Sequence, residues 1–395
     1  MAGKDRAAES GIEGIFFMNE ALLQRLLPGV ASLVFFSLFL LPEVKCVGAY
    51  STNFTVEHLA PGLTRVMVKN PWKGAKHDFC YLLSDRSCHH GIEAGAYGEC
   101  TLVEVPVKRM VVLSSTYYAF IASLGATERM VGASQPQRSN TGSVAKGFRL
   151  GRIKDVGQGP NVNVETILEL RPDVIFAYAT GGFRDIHPKL EEAGLKVVLC
   201  AEYMEEHPLG RAEWIKFFGL FLGKTKEACK IFQGVEKRYL DLVERVKLSG
   251  DLHPSVIANV PFAGRWFVPG GRSFIARFIE DAGGDFIFKD TDTAGSVPMD
   301  VELVFDKGKE ADFWINTGTW TSLSDIRKTD PRLLLFNAVR KRHVYNNNRR
   351  LSPLGTNDYW ESGVLRPDRV LADLLSIFHP GFKKGYGLYY YRHLE

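Results

Sequence analysis

The stretch VETILELRPDVIFAYATG at 164–181 is echoed by VELVFDKGKEADFWINTG at 301–318. In both, Val-Glu opens a helix with apolar residues at matching offsets. A charged turn then ends in Asp (Asp173, Asp312), followed by an apolar strand and a Thr/Gly loop. A chain that repeats such a unit has to place two equivalent βα pieces, and two related lobes are the economical way to do so. Between the copies lies KTKEACKIFQGVEKRYLDLVERVK (224–247). There Ala228, Ile231, Phe232, Val235, Tyr239, Leu242, Val243 and Val246 recur every three or four residues as one stripe. As a helix this segment is roughly 35 Å long, about the width of a domain.

Around this frame, strands alternate with helices from Val105 onward. RMVVLSS (109–115), RMVGAS (129–134) and KVVLC (196–200) read as strands, while TYYAFIASLG (116–125), IHPKLEEAG (186–194) and RAEWIKFFGLFLG (211–223) read as helices. That order indicates βαβ units on a mostly parallel sheet. After SGDLHPS a second α/β segment begins at VIANV (256–260), with a hairpin through RWFVPGG (265–271) and a helix at SFIARFIEDAGG (273–284). Ahead of the lobes, short alternating runs such as LTRVMVKNPW (63–72) predict a small β-rich lead-in. The expected fold is α/β: two Rossmann-like βα lobes joined by one long helix, with the lead-in in front. The expected division is 1–49 as a signal or upstream segment, 50–104 as lead-in, 105–223 as the N-terminal lobe, 224–248 as connecting helix and 252–395 as the C-terminal lobe.

An apolar run from Val30 to Leu41 follows Arg25 and precedes the small residues Val47 to Ala49. It is too short for a membrane span and fits the central region of a secretory signal. The expectation is an exported, periplasmic protein, with Cys46 as a candidate lipid anchor. Cys80, Cys88 and Cys100 cluster with His89 and His90 but lack the paired CxxC of a zinc site. In an exported chain a disulfide is the expected use. The pairing among Cys80, Cys88, Cys100, Cys200 and Cys229 stays open.

The net charge of +4 is spread among acidic residues, and the densest basic patch, 341–350, has no aromatic interleaving. A solvated loop is expected there rather than a nucleic-acid surface. No P-loop, GxGxxG after a strand, HExxH or GxSxG occurs. Glu165, in the first turn of its helix, fits the helix dipole better than catalysis. No catalytic residue is nominated, and a binding protein is expected, as a monomer.

VPVKRMVVLSSTYYAFIASLGATERMVGAS, NVNVETILELRPDVIFAY, LEEAGLKVVLC, the connecting helix, FIARFIEDAGGDFIF and RPDRVLADLLSIFHP together span most of 105–380. In these residues the chain resembles the substrate-binding proteins of ABC importers for iron-siderophores, haem and cobalamin, in which a single helix bridges two lobes. The resemblance implies a metal-chelate ligand held in the interlobe cleft, no cofactor of its own, and a membrane permease with its ATPase as partner. Open α/β sheets bind ligands beyond the carboxyl ends of their strands, which nominates the same place. The candidates are Ser114, Ser115, Thr116 and Tyr117; Tyr178, Thr180, Phe183 and Arg184; Glu202 and Tyr203; Trp266 and Arg272; Thr319 and Trp320; and Asn346, Asn347 and Asn348. Aromatic faces with a few Arg groups suit a large flat ligand. A tyrosinate or His207 is the candidate axial ligand for a haem. The resemblance also implies docking through acidic residues of each lobe: Asp185 lies near the expected place, Glu205 and Glu206 offer another surface, and in the second lobe Arg277 stands before Glu280 where a carboxylate is usual. The alternative function is a tetrapyrrole metal chelatase on the same framework.

Overall fold

The computed structural model describes residues 48–87, 98–249, 253–382 and 385–395. The signal segment, Cys46, Cys88, His89 and His90 lie outside the described residues.

The first lobe is a parallel sheet of β5 (Met110–Val112), β6 (Met130–Ala133), β7 (Lys154–Asp155), β8 (Val174–Ala177) and β9 (Val197–Leu199), in the order β7-β6-β5-β8-β9. Every residue of β5, β8 and β9 is buried, as continuous apolar strands of a covered parallel sheet should be. Its helices are α1 (Thr116–Ser123), α2 (Gly142–Arg149), α3 (Val164–Leu170), α4 (His187–Glu192) and α5 (Pro208–Leu222). The connector α6 (Thr225–Ser249) follows. Ala228, Phe232, Val235 and Tyr239 of its predicted stripe are fully buried, and Ile231, Leu242, Val243 and Val246 pack on the same core. Gly219 of α5 lets the two helices close, because a Cβ there would meet the Ala228 methyl at 2.7 Å.

The second lobe places β10 (Ser255–Ala258), β13 (Asp285–Phe286), β15 (Phe313–Ile315), β16 (Val344–Asn346) and β17 (Arg392–His393) in the order β13-β10-β15-β16-β17, all parallel except β17. The predicted hairpin is β11 (Pro261–Phe262) with β12 (Arg265–Pro269), and β14 (Ser296–Asp300) extends it to three strands. The helices are α7 (Phe274–Asp281), α8 (Val301–Gly308), α9 (Ser324–Thr329), α10 (Asn337–Arg340), α11 (Ser362–Leu365) and α12 (Pro367–Phe378). The connector reaches this lobe through Arg238 Nε to Asp368 (2.6 Å) and Tyr239 Oη to Asp281 (2.7 Å).

The sequence repeat has a mechanical meaning. Asn163 and Asp300 cap α3 and α8 by accepting the amides of Thr166 and Glu302. The Asp that ends the charged turn of each copy clamps the start of the first strand of its own lobe. Asp173 Oδ2 accepts the amides of Lys108 (2.7 Å) and Arg109 (3.0 Å), and Asp312 Oδ2 accepts the amide (3.0 Å) and hydroxyl (2.8 Å) of Ser255.

The lead-in is a four-stranded sheet, β1 (Phe54–Ala60), β2 (Leu63–Val68), β3 (Phe79–Asp85) and β4 (Thr101–Val105), with a disulfide between Cys80 and Cys100. Cys229 is also disulfide-bonded, and Cys200 is a buried free thiol. The lead-in is not a detachable module. Glu213 of α5 accepts the amides of Gly48, Ala49, Tyr50 and Ser51, and Glu205 accepts those of Thr52 and Asn53. Tyr81 Oη accepts the Leu199 amide of β9 (2.7 Å), and Trp72 fills the space a side chain at Gly181 would need.

Glu213 is fully buried and ion-paired with Lys216 (2.8 Å). Burial alone would raise its pKa; the Lys216 bond and the Ser51 and Tyr50 amides outweigh it and hold the pKa below the ordinary value. Its stabilising contribution is therefore present above the ordinary value and fades as acid protonates it. Glu213→Ala should lower the unfolding free energy by about 3–5 kcal/mol at neutral pH, read from urea titrations, with a smaller loss at acid pH.

Candidate functional site

A cavity of about 470 Å³ opens between the lobes, beyond the carboxyl ends of the first-lobe strands. Ser114 and Ser115 follow β5, Ser134, Gln135, Arg138 and Ser139 follow β6, Gln158 follows β7 and Tyr178 follows β8; the second lobe adds Thr356 and Glu361. Strand order in the first lobe reverses direction between β5 and β8, so Ser115 and Tyr178 stand at the topological switch point. The wall is mostly hydroxyl and amide, with one cationic and one aromatic side chain. Ser134 is 7% exposed and its Oγ has no hydrogen-bond partner.

Of the nominated ligand residues, Ser114, Ser115 and Tyr178 line this cavity. Thr116 starts α1, half-buried. Beyond β8, Thr180 donates its hydroxyl to Asp185 (2.9 Å), Phe183 is 95% exposed, and the Arg184 guanidinium lies over its ring at 5.4 Å. Tyr203 Oη lies 2.6 Å from the Ala179 carbonyl and 3.0 Å from that of Pro71, so it braces that loop on the lead-in. Thr319 is exposed in the loop after β15. Arg272 pairs with Asp292 (3.2 Å) and, across the lobes, with Glu206 (3.8 Å).

Several expectations are corrected by burial. Trp266 is a core residue: it stacks on Trp314 at 5.6 Å and donates Nε1 to the Ala258 carbonyl. Trp320 packs edge-on against Trp314, and its carbonyl accepts from both Asn346 and Asn348. Asn347 is closed into a chain of amides, donating to Asn316 and accepting from Asn357. His207 caps α5 through Nδ1, accepting the Leu209 amide (3.0 Å), and its ring packs by Tyr50 and Tyr239. Glu205 is buried among lead-in groups and the Trp214 indole, which removes it from any docking surface. Asp185 is half-buried and staples its own loop, taking the Thr180 and Gly181 amides. Among the described residues no three His, Cys, Asp or Glu gather to hold a metal ion, and no helix is long and apolar enough to cross a membrane.

Tyr117 and Glu202 form a buried group with Arg211. Tyr117 Oη, Glu202 Oε2 and Arg211 Nε each lack a hydrogen-bond partner, and the Arg211 guanidinium lies 4.2 Å over the Phe274 ring of the second lobe. Burial pushes the Glu202 pKa up to about 7 against the pull of the Arg211 charge. A raised carboxyl pKa gives stability that is whole below its ordinary value and lost as pH rises through the folded one. Wild type should thus lose stability, by about 3 kcal/mol at most, between roughly pH 4.5 and 7. Glu202→Gln should show no such loss when urea midpoints are compared across that range.

Comparison with known proteins places this geometry. The Periplasmic binding protein family model matches residues 110–350. An uncharacterized lipoprotein of Methanocaldococcus jannaschii is 31% identical over 293 residues, covering 72% of this chain and 68% of the relative. A second lipoprotein of that organism is 26% identical, covering 71% of each. A periplasmic binding protein from Veillonella parvula superposes with a TM-score of 0.57 at 13% identity, covering 83% of this chain and 98% of that one. A periplasmic heme-binding protein from Pseudomonas aeruginosa gives 0.53 at 18%, covering 70% and 94%. With two βα lobes, one bridging helix and a cavity between them, the chain belongs to the periplasmic binding protein family.

Proposed function

We propose that this chain is the non-catalytic solute-binding component of an ABC importer, that it captures an iron–siderophore complex, and that it passes this to a membrane permease. The observation that carries the reading is the interlobe cavity, whose wall combines strand-end loops of one lobe with Thr356 and Glu361 of the other. A guest there touches both lobes and so favours their closed arrangement by its differential affinity. Between the ligands of this class, the hydroxyl- and amide-rich wall supports a polar chelate over haem or cobalamin. Those macrocycles present broad apolar faces that want aromatic partners; of the aromatic candidates Tyr178 alone lines the cavity, and Trp266 and Trp320 are buried in the second lobe.

The Cys80–Cys100 disulfide supports export to an oxidising compartment. Two relatives are named lipoproteins, which supports an anchored form with Cys46 as its attachment point. Fractionation of cells expressing wild type and Cys46→Ser checks this: release of the variant from membranes is expected, and equal partitioning counts against the anchor.

Native mass spectrometry and absorbance titration with ferric siderophores, haemin and cobalamin decide the ligand. One ferric siderophore should saturate at one per chain, and Ser115→Ala with Tyr178→Ala should weaken it about tenfold or more. Saturation by haemin or cobalamin alone would overturn the siderophore assignment. Metal turnover into or out of a porphyrin would favour the chelatase.

A further inference from the structure

Helix α2 begins inside the cleft and lacks a cap of its own: Thr141, its N-cap residue, makes no side-chain cap bond, and its first turn holds no acidic residue. The carboxylate that serves it comes from the other lobe. Glu361 accepts Ser139 Oγ (3.0 Å), the Asn140 amide (3.0 Å to each oxygen), the Thr141 amide (3.1 Å) and Thr141 Oγ1 (3.1 Å). The two residues are more than 200 positions apart in the chain, and Glu361 is fully buried by the contact. All these donors are neutral. They sit where the helix dipole favours negative charge.

A second observation points to a guest. Ser134 lines the same cavity beside Ser139, is 7% exposed, and its Oγ is satisfied by nothing in the protein. Arg138, also on the wall, spends one guanidinium nitrogen on the Leu354 carbonyl (3.1 Å) of the second lobe and is otherwise exposed. The cavity therefore holds an anion-ready cluster, with one carboxylate already seated and further donors beside it unused.

We propose that Ser139, Asn140 and Thr141 form an oxyanion subsite for a carboxylate group of the transported ligand, and that Glu361 occupies it as a built-in surrogate while the cleft is empty. The proposal rests on the solute-binding reading and names the chemistry of its ligand. A ligand carboxylate entering the cleft takes over the donors that Glu361 holds, and it gains Ser134 Oγ and the Arg138 charge, which Glu361 does not use. Burial of Glu361 raises its pKa despite the donor bonds, so the seated carboxylate is itself under strain of desolvation. Displacement frees Glu361 and breaks its polar contacts with residues 139–141, just ahead of α2. Because the surrogate competes, ligand affinity in the wild type is reduced by the fraction of molecules in which the subsite is filled.

The test uses the mature chain and citrate as a metal-free carboxylate probe, followed by calorimetry and small-angle scattering. Glu361→Ala is expected to bind citrate about tenfold tighter than wild type, and Ser139→Ala with Thr141→Val about tenfold weaker. Glu361→Gln, which keeps the side-chain shape, guards against a folding defect and should fall between Glu361→Ala and wild type. A neutral ferric trihydroxamate should be indifferent to Ser139→Ala with Thr141→Val. Citrate binding that is absent, unchanged or weaker in Glu361→Ala overturns the subsite; lobe opening in scattering without a gain in citrate binding assigns Glu361 a purely structural strut and overturns it equally. Tight citrate binding by Glu361→Ala together with no ferric chelate bound by any form would uphold the subsite while sinking the siderophore reading.

Discussion

The structure hangs on a helix that is buried on every side. All of α5 except Leu220 is buried, as expected where a helix has neighbours all round. Its charges therefore have no water to turn to and must be answered by protein. Glu213 and, just before the helix, Glu205 take the backbone amides of residues 48–53. Lys216 pairs with Glu213 and lies 4.1 Å over the Phe232 ring of the connector. Arg211 reaches Phe274 in the second lobe. One element thus ties together the lead-in, the first lobe, the connector and the second lobe, through groups that are costly to leave unmatched.

The pseudo-symmetry of the lobes goes deeper than strand order. Asp173 and Asp312 perform the same clamp on the first strand of each lobe. Asp185 and Asp325 likewise staple the loops after β8 and β15, each accepting the amide of a nearby Thr (Thr180, Thr321). Beyond that the copies diverge. The first sheet runs β7-β6-β5-β8-β9, whereas the second runs β13-β10-β15-β16-β17 with an antiparallel edge and a hairpin sheet beside it. The shared devices fix where the first strand of each lobe begins and hold the loop that follows its neighbour.

Fold and site differed in how openly the sequence declared them. Periodicity carried α6 and the strand–helix alternation, because apolar spacing reports burial directly. The site was only half legible. The carboxyl-end rule nominates Ser114, Ser115 and Tyr178, which line the cavity, and applied to RMVGAS it also points to Ser134 and the residues after it; Glu361 has no local signal, since its partners are brought to it by lobe packing. Trp266 in the hairpin, and Trp320 and Asn347 beyond their strands, carry no local mark of burial, while here the indoles fill the second core and Asn347 is held between Asn316 and Asn357. His207 looked like a ligand and is a helix cap. Tertiary contacts decide such cases, and a linear pattern holds no trace of them.

An empty cleft poses its own problem for a protein of this design. Donors gathered to hold an anion are costly when they stand dry and unmatched, and a site that waits for its ligand has to manage that cost. Water can do so at an exposed rim, but Ser139 is buried. A carboxylate borrowed from the opposite lobe solves the problem with a group already in the chain, at the expense of some affinity. The same choice couples capture to geometry: whatever replaces Glu361 removes a contact that spans the lobes and supplies one of its own. Binding strength and lobe arrangement are then set by a single exchange of one carboxylate for another.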